Sequence, residues 1–285
     1  MIRVLSPGFY TTIQDMGRYG YADIGVPSSG IMDRYSGQLA NQIIGNNVND
    51  SLLEICLGNC ILKFEKQTVV CVSGADFSPK INNDSVRLNK AVLVNKNDIL
   101  SFGKKRYGSR AYLAVKGGFQ TSVELGSRSF YEGITSRVLL KKDDILPIRS
   151  FIIEKLPLNA SVKVDENYFK SKDLLAYPGP EYDLLSFKQK AQLKKVVFTI
   201  SKDNNRMGYR LEEHLENKLP SILTSSVLPG TVQLTPSGKI IILMRDCQVT
   251  GGYPRVLQLS EIAINRLAQK STGDTIQFII EDLDW

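Results

Sequence analysis

The sequence has few of the residues that most often bind metals or act as nucleophiles. It contains one histidine and four cysteines in 285 residues. The histidine, His214, lies in a charged segment, and no two cysteines have the CxxC spacing. Because a zinc site needs several cysteine or histidine ligands, we expect no metal site. A Gly-x-Ser-x-Gly motif is also absent, so nucleophilic catalysis finds little support.

The cysteine pattern favours a reducing compartment. Cys60 and Cys71 lie in apolar runs, where cysteine usually packs as a small hydrophobic residue. Free thiols in a reducing compartment are the simple explanation. Cys247, beside Gln248, is a conceivable nucleophile, but its position at the end of an apolar run favours a structural role.

Long hydrophobic runs are lacking as well. No stretch approaches the roughly 18 uncharged apolar residues that a membrane helix needs. The segment Met1–Gly8 reaches a turn too soon to contain the apolar core of a signal peptide. We therefore expect a soluble, cytoplasmic protein with no membrane partner. Hydrophobic residues make up 42% and charged residues 23%, so a globular core can form.

The net charge is +7, which raises the question of nucleic-acid binding. The lysines are scattered along the chain, and no basic stripe with interleaved aromatic residues is present. We therefore expect no nucleic-acid partner. A solvated basic surface that faces an acidic partner or an anionic substrate is the better interpretation.

Strand patterns dominate the chain and predict a mainly β fold. Short runs of β-branched and apolar residues alternate with polar turns. The predicted strands are Ile2–Leu5, Cys60–Phe64, Val69–Val72, Ala91–Val94, Ile99–Phe102, Ala111–Val115, Val196–Ile200, Thr231–Leu234, Ile240–Met244 and Thr275–Ile280. Short polar links predict two hairpins, one joining Cys60–Phe64 to Val69–Val72 and one joining Ala91–Val94 to Ile99–Phe102.

Helical spacing and capping residues predict three helices, at Asp33–Ile44, Pro180–Lys195 and Ser260–Gln269. An acidic turn followed by an apolar strand recurs at Lys96–Ile99, Lys142–Ile145 and Thr272–Thr275. This recurrence indicates two related β units, although aspartate-led turns are common for backbone reasons. Polar residues near 150–175 predict a domain junction, which we place between residues 155 and 156. Interleaving of strands between the domains 1–155 and 156–285 is left open.

The segment Thr11–Asp33 is the first candidate for a binding loop. Its many glycines predict a loop, and glycine lets a ligand approach the main chain. Arg18 in this loop is suited to hold a carboxylate or a similar anion. A tight loop held by its own Asp15–Arg18 pair is an equally weighted alternative.

Two further segments present arginines beside glycines. In Ala114–Ser129 the Gly117-Gly118 turn is interpreted as structural, while Arg128 is more open to a ligand role. The glycine–lysine–serine spacing of a phosphate loop is absent there. In Asn205–Leu211 two arginines lie four positions apart around a glycine turn, where solvated arginines are the common explanation.

The segment Asp246–Arg255 follows an apolar strand and carries a Gly-Gly turn. Gln248 and Thr250 are suited to bind an amide or a carboxylate by hydrogen bonds. The backbone N–H groups of Gly251 and Gly252 are suited to an oxyanion. A tight structural turn is again the alternative.

Taken together and in order, these segments resemble the family of the 5-oxoprolinase C subunit. This family is also known as the Kip antagonist (KipA) family and as allophanate hydrolase subunit 2, and it is similar to half of the biotin-dependent carboxyltransferase region of urea carboxylase. The matching motifs are Thr11–Arg18, Gly25–Asp33, Leu39–Asn41, Gly45-Asn46, Gly117–Phe119, Leu125–Ser129, Arg206–Leu211, Gly251–Pro254, Leu267–Gln269 and Gly273-Asp274.

The sequence departs from the family pattern in three places. Asn204-Asn205 stands where Ser-Asp is expected, Glu212-Glu213 stands where a glycine is expected, and Ser271 or Thr272 replaces a proline. The first departure removes a carboxylate beside Arg206 and therefore questions a catalytic pairing there.

The resemblance implies two cyclophilin-like β-barrel domains with a few short helices. It also implies a subunit of an amide (lactam) hydrolase, an ATP-dependent 5-oxoprolinase that converts 5-oxoproline, a small carboxylate, to L-glutamate. The implied partners are the B subunit, which is KipI-like and similar to allophanate hydrolase subunit 1, and the A subunit, which is LamB/YcsF-like. We expect the chain to be inactive alone. No nucleotide loop is visible, so we expect ATP to bind in, or be shared with, the partner subunits.

Two alternatives accompany this interpretation. In the first alternative, the chain is half of a biotin-dependent carboxyltransferase acting on urea or a similar amide. Biotin would then come on a separate carrier, because no Met-Lys-Met attachment motif is present. In the second, it is a regulatory protein that antagonises an inhibitor of a sensor kinase.

The site residues predicted from these motifs fall into two groups. The catalytic candidates are Asp15, Asp33 and Arg206. The substrate-binding candidates are Arg18, Ser29, Arg128, Gln248, Gly251, Gly252 and Tyr253. The arginines are interpreted as anion binders, the aspartates as acid–base or orienting groups, and Gln248 and Tyr253 as polar contacts. We expect Thr11–Asp33 and Gln248–Arg255 to be two edges of one small-carboxylate site that is completed by another subunit.

Overall fold

The structure, a computed structural model, describes residues 1–151 and 161–281. The chain folds into two compact units, each with most of its contacts inside the unit. The first unit consists of Met1–Arg18 and Ser29–Lys170, and the second of Tyr19–Ser28 and Ser171–Trp285. The predicted boundary between residues 155 and 156 lies outside the described residues and stays a prediction.

The first unit contains two antiparallel sheets. Its strands are β1 (Ile2–Pro7), β2 (Tyr10–Gln14), β3 (Leu52–Cys56), β4 (Cys60–Phe64), β5 (Thr68–Asp76), β6 (Lys80–Ile81), β7 (Asp84–Ser85), β8 (Val92–Val94), β9 (Ile99–Ser101), β10 (Tyr107–Val115) and β11 (Ile145–Leu146). One sheet has the order β11-β1-β4-β9-β6-β7, and the other has the order β2-β3-β10-β5-β8. Buried apolar side chains from both sheets form one core, including Ile2 and Leu62 from the first and Leu113 from the second.

Both predicted hairpins in this unit are wrong. Strand β4 pairs with β1 and β9, whereas β5 pairs with β10 and β8. Strands β8 and β9 likewise belong to different sheets. Each short polar link therefore carries the chain from one sheet to the other, because both sheets bury their apolar faces in one core. Local turn residues predict that the chain reverses, but they do not predict which strand becomes the partner.

The predicted helix Asp33–Ile44 is confirmed as α1 (Arg34–Ile43). Asp33 is the N-cap, and its carboxylate accepts a hydrogen bond from the Ser36 backbone N–H at 3.1 Å, which satisfies one free donor of the first turn. Ala40 and Ile43 face a small core on the five-stranded sheet. At the other end, Lys116 Nζ donates to the Ile44 carbonyl at 3.0 Å, where a positive charge complements the helix dipole. A short helix, α2 (Asn167–Lys170), lies at the end of this unit.

The second unit is built on a closed barrel of seven strands. The unit's strands are β12 (Asp173–Pro178), β13 (Phe198–Asn204), β14 (Gly208–His214), β15 (Ser225–Ser226), β16 (Thr231–Leu234), β17 (Lys239–Leu243), β18 (Thr250–Gly251), β19 (Arg255–Leu259) and β20 (Thr275–Ile280). The barrel order is β12-β19-β16-β17-β14-β13-β20, and the parallel pair β12–β20 closes it. Strands β15 and β18 form a separate ribbon. The predicted mainly β fold with barrel architecture and few helices is thus confirmed.

The helices of the second unit correct one boundary. The predicted helix Pro180–Lys195 begins later, as α3 (Phe187–Lys195), after a 3-10 turn at Tyr182–Leu184. Ser186 and Gln189 form a capping box that fixes this start, since each side chain bonds the other's backbone N–H. The predicted helix Ser260–Gln269 is confirmed as α4 (Glu261–Ala268), capped by Ser260. Ile262 of this helix is 59% exposed.

The repeated acidic turn has one geometry in all three places. Each aspartate carboxylate accepts a hydrogen bond from the backbone N–H three residues earlier: Asp98 at 2.8 Å, Asp144 at 2.9 Å and Asp274 at 2.7 Å. The residue before each aspartate has a positive φ, which the acidic turn requires. Two copies lie in the first unit and one in the second, and the relation between the two β units stays a prediction.

Candidate functional site

In the first unit, a buried carboxylate organises the loop that follows β2. Asp15 Oδ1 accepts hydrogen bonds from Ser127 Oγ at 2.6 Å, Ser129 Oγ at 2.7 Å and the Gly17 backbone N–H at 2.9 Å. Asp15 Oδ2 accepts one from the Arg128 backbone N–H at 2.6 Å. We call these residues the Asp15 cluster. With four donors on its two oxygens, Asp15 is suited to an orienting role.

Arg18 and Gly30 tie the rest of the loop to this cluster. Arg18 is 2% exposed, and its Nη2 donates to the Ser129 carbonyl at 2.5 Å. Gly30 has a φ of 93°, and a Cβ there would lie 2.8 Å from Gly17 N and 2.9 Å from the Asp15 carbonyl oxygen. Only glycine fits so close an approach. The anion-binding role of Arg18 stays a prediction, and its contact with the Ser129 turn gives it a structural role as well.

The prediction that Thr11–Asp33 is a loop is wrong for the start of this segment. Thr11 and Gln14 belong to β2, which pairs with β3 in the five-stranded sheet. The glycine-rich part begins only at Gly17. The alternation of polar and apolar residues before Asp15 is too short to predict a strand, and pairing with β3 supplies the missing stability.

Asp33 and Ser29 lie at the start of α1. Asp33 is fully buried and accepts hydrogen bonds from Ser36 Oγ at 2.6 Å and Tyr168 Oη at 2.7 Å, besides the capping bond. Its side chain is therefore occupied as a cap. Ser29 is also fully buried, with a φ of 55° that a non-glycine residue rarely adopts. Its Oγ makes no hydrogen bond within residues 1–151 and 161–281.

Arg128 joins the Asp15 cluster to a cavity. Its backbone bonds Asp15, and Arg128 also lines a cavity of about 180 Å³ in the first unit. Thr121, Ser122 and Arg137 line the same cavity. The Arg137 guanidinium forms an ion pair with Asp144, so Arg128 is the better candidate for binding an anion such as a carboxylate. This role of Arg128 stays a prediction.

In the second unit, the predicted catalytic residue Arg206 forms a buried ion pair. Its Nε donates to Asp246 Oδ2 at 2.7 Å, and its Nη2 donates to Asp246 Oδ1 at 3.0 Å. The two side chains are 6% and 9% exposed. No motif of the sequence links this partner to Arg206, because 40 residues separate the two positions.

The family departure at Asn205 leaves the local turn in place. Asn205 Oδ1 accepts hydrogen bonds from the backbone N–H groups of Met207 at 2.8 Å and Gly208 at 3.2 Å. An asparagine oxygen accepts such bonds as an aspartate oxygen does. The carboxylate that the departure removes beside Arg206 is supplied by Asp246 instead. Gly208, predicted to form a turn, opens β14.

A cleft of about 200 Å³ lies on the second unit, and we call it the barrel cleft. It brings together Gln248 and Tyr253, both predicted as polar contacts. Ile241 and Leu243 of β17 add apolar surface. The remaining lining residues are Asn205, Met207, Gly208, Arg210 and Gln233. The cleft thus joins apolar walls to amide, phenol and guanidinium groups, as a site for a small polar ligand requires.

Gln233 is the residue of this cleft that the sequence analysis missed. It lies in β16, is 1% exposed, and its Nε2 has no hydrogen-bond partner in the described part of the chain. A Cβ added to Gly251 would lie 2.5 Å from that nitrogen. A glutamine inside an apolar strand could have indicated this position from the sequence, since buried polar residues are more informative than exposed apolar ones. The oxyanion role of Gly251 and Gly252 stays a prediction.

Three of the cysteines, Cys60, Cys71 and Cys247, have raised pKa values. Burial, together with the neighbouring Asp246 charge, raises the pKa of Cys247 to about 12. Burial raises the pKa of Cys60 and of Cys71 to about 12 as well. Because a nucleophilic cysteine needs a lowered pKa, a structural role is favoured for Cys247.

The described ranges, residues 1–151 and 161–281, lack two kinds of feature. Within this part of the chain, no three His, Cys, Asp or Glu side chains are grouped so that they could hold a metal ion. No helix there is long and apolar enough to cross a membrane.

The two predicted edges of one site divide between the units. Ser29 to Asp33 and Thr11 to Arg18 belong to the first unit, whereas Gln248–Arg255 belongs to the second. Each unit carries its own cluster of polar groups, and a single site built from both stays a prediction.

Comparison with known proteins identifies relatives over nearly the whole chain. The family model described as carboxyltransferase domain, subdomain A and B, matches residues 24–280. The C subunit of 5-oxoprolinase from Escherichia coli is 31% identical over 286 residues, which cover 98% of this chain and 91% of that protein. The corresponding C subunit of Haemophilus influenzae is 31% identical over 293 residues, which cover 98% and 90%.

A solved structure gives the same result for the fold. The crystal structure of the K. lactis urea amidolyase matches with a TM-score of 0.85 and 29% identity. The match covers 98% of this chain but only 18% of the urea amidolyase. This chain therefore corresponds to one part of that larger protein.

Proposed function

The chain belongs to the family of carboxyltransferase domains, subdomains A and B, and we propose that it is the C subunit of an ATP-dependent 5-oxoprolinase. One observation carries this proposal. The two relatives named as C subunits of 5-oxoprolinase match 98% of this chain, and the match covers 91% and 90% of their own length. The urea amidolyase, by contrast, extends far beyond the matched part.

The substrate in this proposal is a five-membered lactam that carries a carboxylate. Its opening adds water across the amide C–N bond and yields L-glutamate. The barrel cleft offers groups that suit both parts of such a molecule: the amides of Gln233 and Gln248 for the lactam, and the Arg210 guanidinium for the carboxylate. Arg128 offers a second anion-binding group in the first unit.

The roles of the predicted catalytic residues follow from their contacts. Asp15, Asp33 and Arg206 are all buried and hydrogen-bonded, so in this proposal they position the loops that carry Arg128, α1 and the barrel cleft. None of them is placed as a free acid or base. The reacting groups therefore come in part from the partner subunits, and we expect the isolated chain to be inactive.

ATP is assigned to the complex and not to the glycine turn of this chain. A Cβ at Gly117 would lie 2.8 Å from the Phe151 ring, and one at Gly118 would lie 3.1 Å from the Asp50 Cβ. This turn packs against protein and does not fit a phosphate group. In the proposal, ATP binds in the A subunit, in the B subunit, or between them, and all three proteins work in the cytoplasm.

A reconstitution experiment tests the proposal. The chain is mixed with the A and B subunits of the same source, and glutamate and ADP are measured with 5-oxoproline and ATP present. We expect product from the three-component mixture and none from any mixture that lacks one protein. Product formation by the other two proteins alone, at the full rate, would show that this chain is not a required component.

A second candidate function is half of a biotin-dependent carboxyltransferase that acts on urea or a similar amide. The match to the urea amidolyase structure over 98% of this chain favours it. In this case a separate biotin carrier supplies carboxybiotin. The chain with its partner would then release CO2 from carboxybiotin faster than either protein alone, and 5-oxoproline would not be consumed.

A further inference from the structure

We propose that Gln233 recognises the amide group of the substrate, and that Gly251 is a glycine because this side chain needs the space. The ligand class is a small cis-amide, such as a lactam, in which N–H and C=O lie on the same side. The inference rests on the proposed function for its substrate, 5-oxoproline, but concerns a residue that no motif of the sequence analysis contains.

The position of Gln233 is unusual for its chemistry. It lies in the middle of β16, where its Cα pairs with those of Ile241 and Arg255 on the two neighbouring strands. The side chain is 1% exposed, yet its Nε2 lacks a hydrogen-bond partner in the described ranges. Burying an amide nitrogen without a partner is costly, and such groups in native proteins call for an explanation. A ligand that completes the hydrogen bonds supplies one.

The cleft gives this amide a ligand-sized space. Gln233 lines the barrel cleft together with Gln248, Tyr253 and Arg210. Its volume of about 200 Å³ suits a ligand smaller than a typical drug molecule. The terminal torsion of a glutamine side chain is soft, so the amide can turn to meet the ligand.

Gly251, which lies against the Gln233 side chain, provides independent support. The φ angle of Gly251 is not positive, so its backbone conformation alone does not require glycine. A Cβ there would, however, lie 2.5 Å from Gln233 Nε2. Any larger residue would push the amide out of its position. The glycine is therefore explained by the space that the glutamine amide occupies.

The chemistry of the two amides is complementary. A glutamine amide presents C=O and N–H side by side, and the ring of a lactam holds its own N–H and C=O side by side in the same way. The two groups can form two parallel hydrogen bonds. An extended trans peptide bond has these groups on opposite sides and can form only one. Arg210, whose Nη1 donates to the Asp203 carbonyl at 3.4 Å, adds the positive charge that the substrate carboxylate requires.

The test compares three variants in the reconstituted complex. Q233E keeps the shape but removes the N–H donor, and Q233L removes both polar groups. We expect the KM for 5-oxoproline to rise about tenfold or more in both, as for the loss of hydrogen bonds to a buried group. Q258E is the matched control, because the Gln258 amide serves the barrel itself by bonding the Pro229 carbonyl at 2.9 Å. Its KM should remain that of the wild type.

Ligand analogues provide a readout that does not depend on the variants. N-methyl-5-oxoproline lacks the N–H, and cyclopentanecarboxylate lacks the amide. With the wild-type complex, we therefore expect each analogue to bind about tenfold or more weakly than 5-oxoproline, as measured by competition. Substitution at Gly251 should weaken substrate binding in the same way. We expect G251A to raise KM in the wild type but to add no further increase in the Q233L background.

The outcomes separate this inference from the proposed function. A KM for Q233E and Q233L equal to that of the wild type, or equal competition by the N-methyl analogue, would overturn the role of Gln233 while leaving glutamate production intact. If the complex makes no glutamate, binding of 2-pyrrolidinone to the chain is measured by NMR. Binding that Q233L abolishes would then support the cis-amide site without the proposed reaction, and binding that Q233L leaves unchanged would overturn it.

Discussion

Arg206 and Asp246 form a two-hydrogen-bond ion pair inside the second unit, with distances of 2.7 and 3.0 Å. Asp246 directly follows Arg245, which bonds Glu261 of α4. Arg206 lies between Asn205 and Met207, which both line the barrel cleft. The pair therefore fixes one end of the cleft to the turn that leaves β17.

Removing half of this pair should destabilise the barrel. In D246N, the buried Arg206 guanidinium loses its charged partner, and we expect the free energy of unfolding to fall by about 3 kcal/mol. Urea unfolding at neutral pH measures this change. The control E216Q breaks the exposed Glu216–Lys218 pair and should leave stability unchanged, because exposed pairs contribute little. Equal stability of D246N and wild type would contradict a structural role for the pair.

Substitutions at Asp15 and at Arg128 should have different effects, the first on the positioning of the loop and the second on substrate binding. D15N replaces one acceptor oxygen of a carboxylate that accepts from four donors, so we expect a lower melting temperature and a lower kcat in the complex. R128A keeps the backbone bond to Asp15 and should raise KM with little change in melting temperature. Thermal unfolding and steady-state kinetics together provide the test. The assignment is wrong if R128A melts as low as D15N and binds substrate normally.

Glu181 should make the stability of the second unit depend on pH. Arg255 donates to both Glu181 oxygens, at 3.0 and 2.8 Å, and this hydrogen bonding lowers the pKa of Glu181 in the folded state. A carboxyl whose pKa is lowered by folding stabilises the protein above its unfolded pKa of about 4.3. That contribution is lost as pH falls through the folded pKa.

The variant E181Q should therefore be less stable than wild type at pH 7. The difference should shrink as pH falls below about 4.3, because the carboxyl is then protonated in the unfolded wild type before it is protonated in the folded protein. Urea unfolding of both proteins at neutral and acidic pH gives the two differences. A difference that stays constant across this range would mean that the Glu181–Arg255 pair does not contribute through its charge.

Cys247 should be dispensable for turnover. Its pKa of about 12 keeps the thiol protonated at neutral pH, so iodoacetamide should modify it slowly in the folded chain. We expect C247S in the reconstituted complex to keep the wild-type kcat. Rapid alkylation that removes activity, with loss of turnover in C247S, would instead indicate a nucleophile.

The sequence predicts secondary structure better than strand partners. The helix Asp33–Ile44 is predictable because its cap, apolar spacing and glycine stop are all local signals. The link at Glu65–Gln67 has equally local signals, but the partner of β5 is β10, more than 30 residues away. Pairing of this kind depends on which faces share a core, and a turn motif does not encode it.

The same limit applies to the candidate site. Asp15, Arg128, Gln248 and Tyr253 could be proposed because glycine turns mark their segments in the sequence. Asp246 and Gln233 could not be assigned roles, since the first depends on an arginine 40 residues away and the second on its contact with Gly251.

The most direct measurement is the rate of glutamate formation from 5-oxoproline and ATP by the A and B subunits, with and without this chain. Our proposal predicts product only when the chain is present, with ADP formed alongside glutamate. Glutamate formation at the same rate without the chain, or none when all three proteins are present, would contradict it.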